Sequence, residues 1–257
     1  MTQKNKRMKA PFVDTLCPDW SAPAHVKAYS TCRHQGFSLV PFDSCNPALH
    51  TGDNVNAVQQ NRQLIREQLQ LPTEPAWLDQ VHGTDIIQLR EDAPDLQMAS
   101  ADGSYTTNKN QVCVVMTADC LPLLITNRQG SEVAAVHAGW RGLCQGVIES
   151  AIQKFSSPVD ELLVWLGPAI GPGAFEVGEE VRQAFIHHDS QAEVAFKASG
   201  KRWMADIYQL ARQRLAVCGV NEVTGGGFCT YTDQERFYSY RREGQTGRMA
   251  SLIWMSE

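Results

Sequence analysis

Apolar positions fall along the chain in two rhythms. In residues 53–70, DNVNAVQQNRQLIREQLQ, a capping Asp53 or Asn54 comes first, and Val58, Leu64, Ile65 and Leu69 then share roughly one face. That spacing predicts a helix. Ala205 to Cys218 repeats it with Ile207, Leu210, Ala211 and Leu215, and Gly219 is the stop signal. Trp140 to Phe155 reads as a helix on Leu143, Val147, Ile148 and Ile152, and Glu176 to Phe185 as a short one with Gly178 near its start. The second rhythm is the continuous apolar run. Val112 to Met116, Leu121 to Ile125, Val133 to Val136 and Leu162 to Leu166 suit buried strands. Trp77 to Val81 reads as a strand as well, and Arg236 to Tyr240 and Met249 to Met255 as two more, joined by the turn-rich EGQTGR. Strands interspersed with helices, without regular βαβ spacing, predict an α+β fold with a mixed β-sheet core and flanking helices.

Composition narrows the picture. Of 257 residues 43% are hydrophobic and 20% charged, so the chain can bury a core. The net charge of -5 offers no general attraction to nucleic acid or to an anionic membrane. No apolar stretch is long enough to span a bilayer. The opening residues MTQKNKRMKAP are basic and polar with no apolar run behind them, which argues against a secretory signal. Residues 1–11 are expected to form a flexible tail, residues 12–257 a single catalytic domain, and the cytoplasm is the expected compartment. Eight cysteines scattered without framework spacing are expected to be reduced thiols.

Three residues stand where an apolar strand is expected to end in a small-residue turn: His82 in QVHGTD, Cys120 in TADCLP and His137 in VHAGWRG. Two imidazoles and a thiolate are a natural ligand set for Zn²⁺, with a fourth position left for water or substrate. The same trio suits copper, which outcompetes zinc at most nitrogen and sulfur sites. It also suits a metal-free hydrolase with Cys120 as nucleophile and His137 or His82 as base. The separations of 38 and 17 residues match no local ligand motif.

Longer blocks add a resemblance. QVHGTD, MTADCLPLLI, VAAVHAGWRGL, WLGPAIGP, AFEVGEEV, ADIYQLARQRL and FYSYRREGQTGRMASLIW together resemble the YfiH-like family. Its members are also called polyphenol-oxidase or laccase-domain proteins and, in some bacteria, peptidoglycan-editing factors. The likeness runs from about Ser30 to the carboxyl terminus. It implies a layered fold similar to certain bacterial deamidase toxins, and a metal held by His82, Cys120 and His137. It also implies phosphorolysis of adenosine, inosine, guanosine and methylthioadenosine, with deamination of adenosine. A cell-wall editing Cys–His hydrolase and a copper polyphenol oxidase are the alternatives. The chain has seven histidines but none of the His-x-His pairs from which a three-copper cluster is built. Where the family has Ser-Leu-Asn-Leu-Gly, this chain reads Ser44-Cys45-Asn46-Pro47-Ala48, which keeps Asn46 and loses a glycine.

Further candidates follow. Arg33 and Arg62 match family arginines and are expected to hold phosphate or substrate, as a guanidinium can by two parallel hydrogen bonds. Asn46 is expected to bind substrate. Of the neighbours Arg241 and Arg242, read on a strand, at most one faces a site. Asp119 is a turn former or a partner of the metal ligands. Purine nucleosides and phosphate are the expected partners, and the chain is expected to be a monomer.

Overall fold

The computed structural model describes residues 13–90 and 98–257, so the tail expected over residues 1–11 lies outside the described residues. The chain opens with β1 (Thr15–Leu16) and β2 (Val26–Thr31), then α1 (Val55–Gln68), whose first turn is capped by the Asn54 side chain accepting from the amides of Asn56 and Ala57. Next come β3 (Ile86–Gln88), β4 (Gly103–Thr106), β5 (Cys113–Thr117), β6 (Leu121–Asn127) and β7 (Val133–Ala138). Two short helices, α2 (Trp140–Gln145) and α3 (Val147–Ile152), precede β8 (Leu162–Leu166) and β9 (Glu176–Val177). The remainder is α4 (Glu179–His188), β10 (Phe196–Ser199), β11 (Arg202–Ala205), α5 (Ile207–Val217), β12 (Glu222–Gly225), α6 (Tyr240–Glu243) and β13 (Met249–Met255).

The α+β reading with a mixed sheet holds. A six-stranded sheet runs β12-β8-β6-β7-β4-β3, parallel at its two outer pairs and antiparallel between. A four-stranded sheet, β1-β2-β13-β5, is antiparallel throughout. Side chains alternate across a strand, and that alternation sorts the core into layers. Val115 of β5, Ile253 of β13, Leu124 of β6 and Trp165 of β8 fill the space between the two sheets. Val114, Leu252 and Trp254 point the other way, onto Leu64 and Ile65 of α1. On the far side, Leu123, Val136 and Val164 pack against Leu143, Ile148 and Leu210 of α2, α3 and α5. Strands covered on both faces read as unbroken apolar runs, which is why periodicity found them.

Several expectations are corrected. Trp77 to Val81 forms no strand, only a bridge between Asp79 and Ser100. The Gln80 amide instead clamps the backbone of Met116, donating to its carbonyl at 2.8 Å and accepting from its N–H at 2.7 Å. The helix expected over Trp140 to Phe155 breaks at Gly146, whose φ of 102° ends one helix and begins the next. The helix expected from Glu176 starts only after Gly178, because Glu176 and Val177 pair with β11. Arg236 to Tyr240 is not a strand. Tyr238 is buried and donates its hydroxyl to the carbonyls of Phe42 and Arg33, and Ser239 caps α6. No helix among the described residues is long and apolar enough to cross a membrane, and all eight cysteines are free thiols.

Candidate active site

Strand register assembles the centre. The β6–β7 pairing sets Leu121 opposite Ala138 and Pro122 opposite His137, so Cys120, one residue before β6, lies beside Gly139. The β4–β7 pairing sets Gly103 opposite Val136, which brings Asp102 beside His137. His82 arrives from an irregular segment rather than a strand end, with a φ of 61°. Asp102 holds it there. Its carboxylate accepts the backbone N–H of His82 at 2.9 Å and of Gly83 at 2.5 Å, and Nδ1 of His137 donates to it at 2.8 Å. One fully buried carboxylate thus fixes two imidazoles, one through its ring and the other through its backbone.

With Nδ1 of His137 donating to Asp102, its Nε2 is left free to bind an ion. The ligand atoms of His82, Cys120 and His137 lie within 4.8 Å of one another, and Cys120 Sγ is 3.8 Å from His82 Nε2. A donor set of two nitrogens and one sulfur, compact and with one side open, fits zinc with bonds of about 2.0–2.3 Å once the side chains draw in slightly. Gly139 is required for this closeness. A Cβ there would stand 2.7 Å from His82 Cδ2 and 3.2 Å from Cys120 Sγ. Burial alone would push the Cys120 thiol up, but the charge and hydrogen bond of His137, followed by those of His82, bring it down to about 6. Burial pulls His137 down. The Cys120 thiolate and the Asp102 carboxylate outweigh it and raise the imidazole to about 9. The geometry therefore favours thiolate and imidazolium together in the absence of an ion.

The trio opens into a cavity of about 510 Å³. Its lining is apolar at Met116, Trp140, Ile170 and Phe175 and basic at His50, Arg141, Arg241 and Arg248, with Arg141 over Trp140 and Arg241 over Phe175. None of these three arginines has an ion-pair partner among the described residues. Arg248 is half-buried, and Nη1 donates to the carbonyls of Thr246 and Gly247 at 2.9 and 3.0 Å. Arg241 stacks near Phe175, and its neighbour Arg242 turns away to the carbonyls of Thr230, Tyr231 and Phe237. One of the two faces the site, as expected, but from a four-residue helix.

The other expected substrate residues lie elsewhere. Arg33 is buried and paired with Glu243 at 2.7 Å, above the Tyr238 ring. Arg62 lies over Trp77 at 4.1 Å with Nε donating to the Pro47 carbonyl at 2.8 Å, outside the cavity. Asn46 is fully buried, with its amide bonded to protein groups only. Asp119, with a φ of 92°, makes a turn and ties Thr230 and the backbone N–H of Arg241. The carboxylate that braces the His82, Cys120 and His137 cluster is instead Asp102, which the sequence does not single out. Its one local signal is an acidic residue before a glycine at the start of a strand, in ADGSYT.

Residues 27–256 match the family described as multi-copper polyphenol oxidoreductase laccase. The chain is 52% identical over 240 residues to the Escherichia coli protein named purine nucleoside phosphorylase YfiH, covering 93% of this chain and 98% of that one. It is 51% identical over 244 residues to a purine nucleoside phosphorylase of Pseudomonas aeruginosa, covering 94% and 98%. A crystal structure of a Neisseria meningitidis protein, 44% identical, superposes with a TM-score of 0.90 over 95% of this chain and 99% of that one. One of a Bacillus licheniformis YfiH, 27% identical, gives 0.87 over 97% and 98%. With the same fold carried across nearly the whole chain, this protein belongs to the YfiH family of multi-copper polyphenol oxidoreductase laccase proteins.

Proposed function

We propose that the chain is a zinc-dependent purine nucleoside phosphorylase. Its substrates are adenosine, inosine, guanosine and methylthioadenosine, and the same centre also deaminates adenosine. It works as a cytoplasmic monomer with one catalytic unit over residues 12–257. The observation that carries this reading is the His82, Cys120 and His137 trio opening into a cavity lined by three arginines that have no ion-pair partner among the described residues. The relatives' printed names supply the substrate class.

A bound zinc with an open position polarises oxygen ligands and lowers the pKa of water. The protein's own residues do the rest. Arg248, with Arg241 and Arg141, holds the phosphate dianion by charge-assisted hydrogen bonds. Met116, Trp140, Ile170 and Phe175 give the purine an apolar and aromatic surface from which water is excluded. Asp102 keeps the proton on Nδ1 of His137 and fixes both imidazoles. Among the described residues only one cluster of three such ligands occurs, which supports a single-ion centre over a multi-copper one.

A Cys120–His137 hydrolase is the second reading, favoured by a thiol brought down to about 6 beside a histidine raised to about 9. Metal analysis of the purified protein, with chromatography of products from adenosine and inosine with and without phosphate, separates the two. The phosphorylase reading expects one zinc per chain, lost in Cys120→Ala, and base release that requires phosphate. Base release at the same rate without phosphate overturns it, and full activity after complete chelation favours the hydrolase.

A further inference from the structure

We infer that Asn46 is a positioning residue for phosphate: its buried side chain sets where Arg248 and His50 stand in the cavity. The inference rests on the phosphorylase reading. Asn46 has no exposed surface. Its Oδ1 accepts the backbone N–H of Arg248 at 3.0 Å, across 202 residues of sequence, and that of Ala48 at 3.1 Å. Its Nδ2 donates to Thr51 Oγ1 at 3.0 Å, to Asp53 Oδ2 at 2.9 Å and to the Ala48 carbonyl at 3.3 Å. His50 lies between Ala48 and Thr51, so the same amide holds both sides of the turn that carries it.

The anchor reaches into the fold. The backbone carbonyl of Asn46 accepts from Nδ2 of Asn61 on α1 at 2.9 Å, and Asn61 is itself fully buried and also holds Ser38 and the Ser44 carbonyl. A buried amide has no water to fall back on, so each of these bonds constrains the chain. Arg248 has further need of such a hold. Burial lowers its pKa, so its charge is kept in the cavity against a desolvation cost, and the guanidinium is braced by backbone carbonyls and by the Tyr240 ring 6.0 Å away. Moving its backbone N–H moves the guanidinium relative to Cys120 and His137. His50 is close enough to Arg248 that, after burial, the arginine's charge lowers its pKa further. Both side chains line the same cavity, and Asn46 holds the backbone that carries each of them.

The test is a double-mutant cycle of Asn46→Ala and Arg248→Ala on the zinc-loaded protein, with KM for inorganic phosphate and for inosine measured separately. Asn46→Ala should raise KM for phosphate about tenfold, the loss of roughly one displaced charge-assisted hydrogen bond. KM for inosine and zinc content should stay within about twofold of wild type. In the Arg248→Ala background Asn46→Ala should add clearly less than its tenfold effect alone, because the part that runs through Arg248 is already lost. Thr51→Val removes one acceptor of the Asn46 amide without emptying the site and should raise KM for phosphate about threefold. It carries the test if Asn46→Ala does not fold. A phosphate-dependent wild type whose variants lose melting temperature but keep KM for phosphate overturns the inference and leaves the phosphorylase reading intact. So does full additivity in the cycle. A wild type with no phosphate dependence overturns both.

Discussion

Arg33 and Arg62, in the amino-terminal half, and Arg241 and Arg248, near the carboxyl terminus, look alike as residues and differ in what surrounds them. Arg33 meets Glu243, three carbonyls and an aromatic face, so its donors are committed inside the fold. Arg248 meets carbonyls of its own loop and the Tyr240 ring, with no ion-pair partner among the described residues, and opens onto the cavity. The adjacent Arg241 and Arg242 repeat the contrast within a single helical turn. What makes an arginine available to an anion is therefore where the fold places its guanidinium: Arg33 and Arg62 are held by groups outside the cavity, whereas Arg241 and Arg248 line it.

The comparison breaks most directly at Arg33. Removing one member of a buried ion pair leaves the other charge stranded, at a cost of about 3–5 kcal/mol. The low end applies here, because Arg242 remains 3.1 Å from the same Glu243 oxygen. Arg33→Ala should melt about 6–12 °C below wild type, while the folded fraction keeps its KM for nucleoside. A variant that melts normally and loses catalysis would place Arg33 among the substrate residues. Arg248→Ala should do the reverse. Losing a charge-assisted bond worth roughly 1.5–3 kcal/mol costs about ten- to a hundredfold in kcat/KM with little change in melting. Equal loss of stability in the two variants would erase the distinction.

A smaller effect sharpens the other half of the site. In the metal-free protein Cys120 is a thiolate above about pH 6, because the His137 imidazolium, itself held by Asp102, outweighs the burial that pushes the thiol up. Its alkylation by iodoacetamide, taken as the difference from Cys120→Ser, should therefore fall as pH drops through about 6 rather than through the ordinary thiol range. Asp102→Asn removes the carboxylate that keeps His137 protonated, so the midpoint should move upward. An unmoved midpoint would mean that Asp102 does not support the pair.

How much of this was legible follows from range. The buried strands and α1 were readable because apolar pattern is local, and Cys120 and His137 were readable because each adjoins such a strand. His82 was found beside a strand that does not form, through its glycine neighbour and the resemblance. Asp102 was not legible, since its place beside His137 depends on the register of β4 against β7. Nor was Arg248, whose position depends on an asparagine 202 residues away. The break at Gly146 was not legible from the glycine alone, since Gly142 lies within α2 without interrupting it. Tyr238 and Phe237 mimicked a strand because buried aromatics in a turn leave the same pattern as buried aromatics in a sheet.

Arg62 gives the smallest expected effect and the finest test of the comparison. The sequence-based expectation is that it holds phosphate or substrate, but the guanidinium lies over the Trp77 ring at 4.1 Å with Nε on the Pro47 carbonyl. Burial pulls its pKa down to about 10. Among the described residues Nη2 is buried without a hydrogen-bond partner. The terms nearly cancel. Stacking on a desolvated indole contributes up to about 2 kcal/mol and the bond to Pro47 about 1 kcal/mol, against roughly 1–3 kcal/mol for the orphaned nitrogen. Arg62→Met keeps most of the volume over Trp77 and removes the orphan along with the bond. Its melting temperature should stay within about 4 °C of wild type, and kcat/KM for inosine with phosphate should hold within about twofold. A tenfold loss of kcat/KM at unchanged stability would move Arg62 from the committed arginines to the free ones.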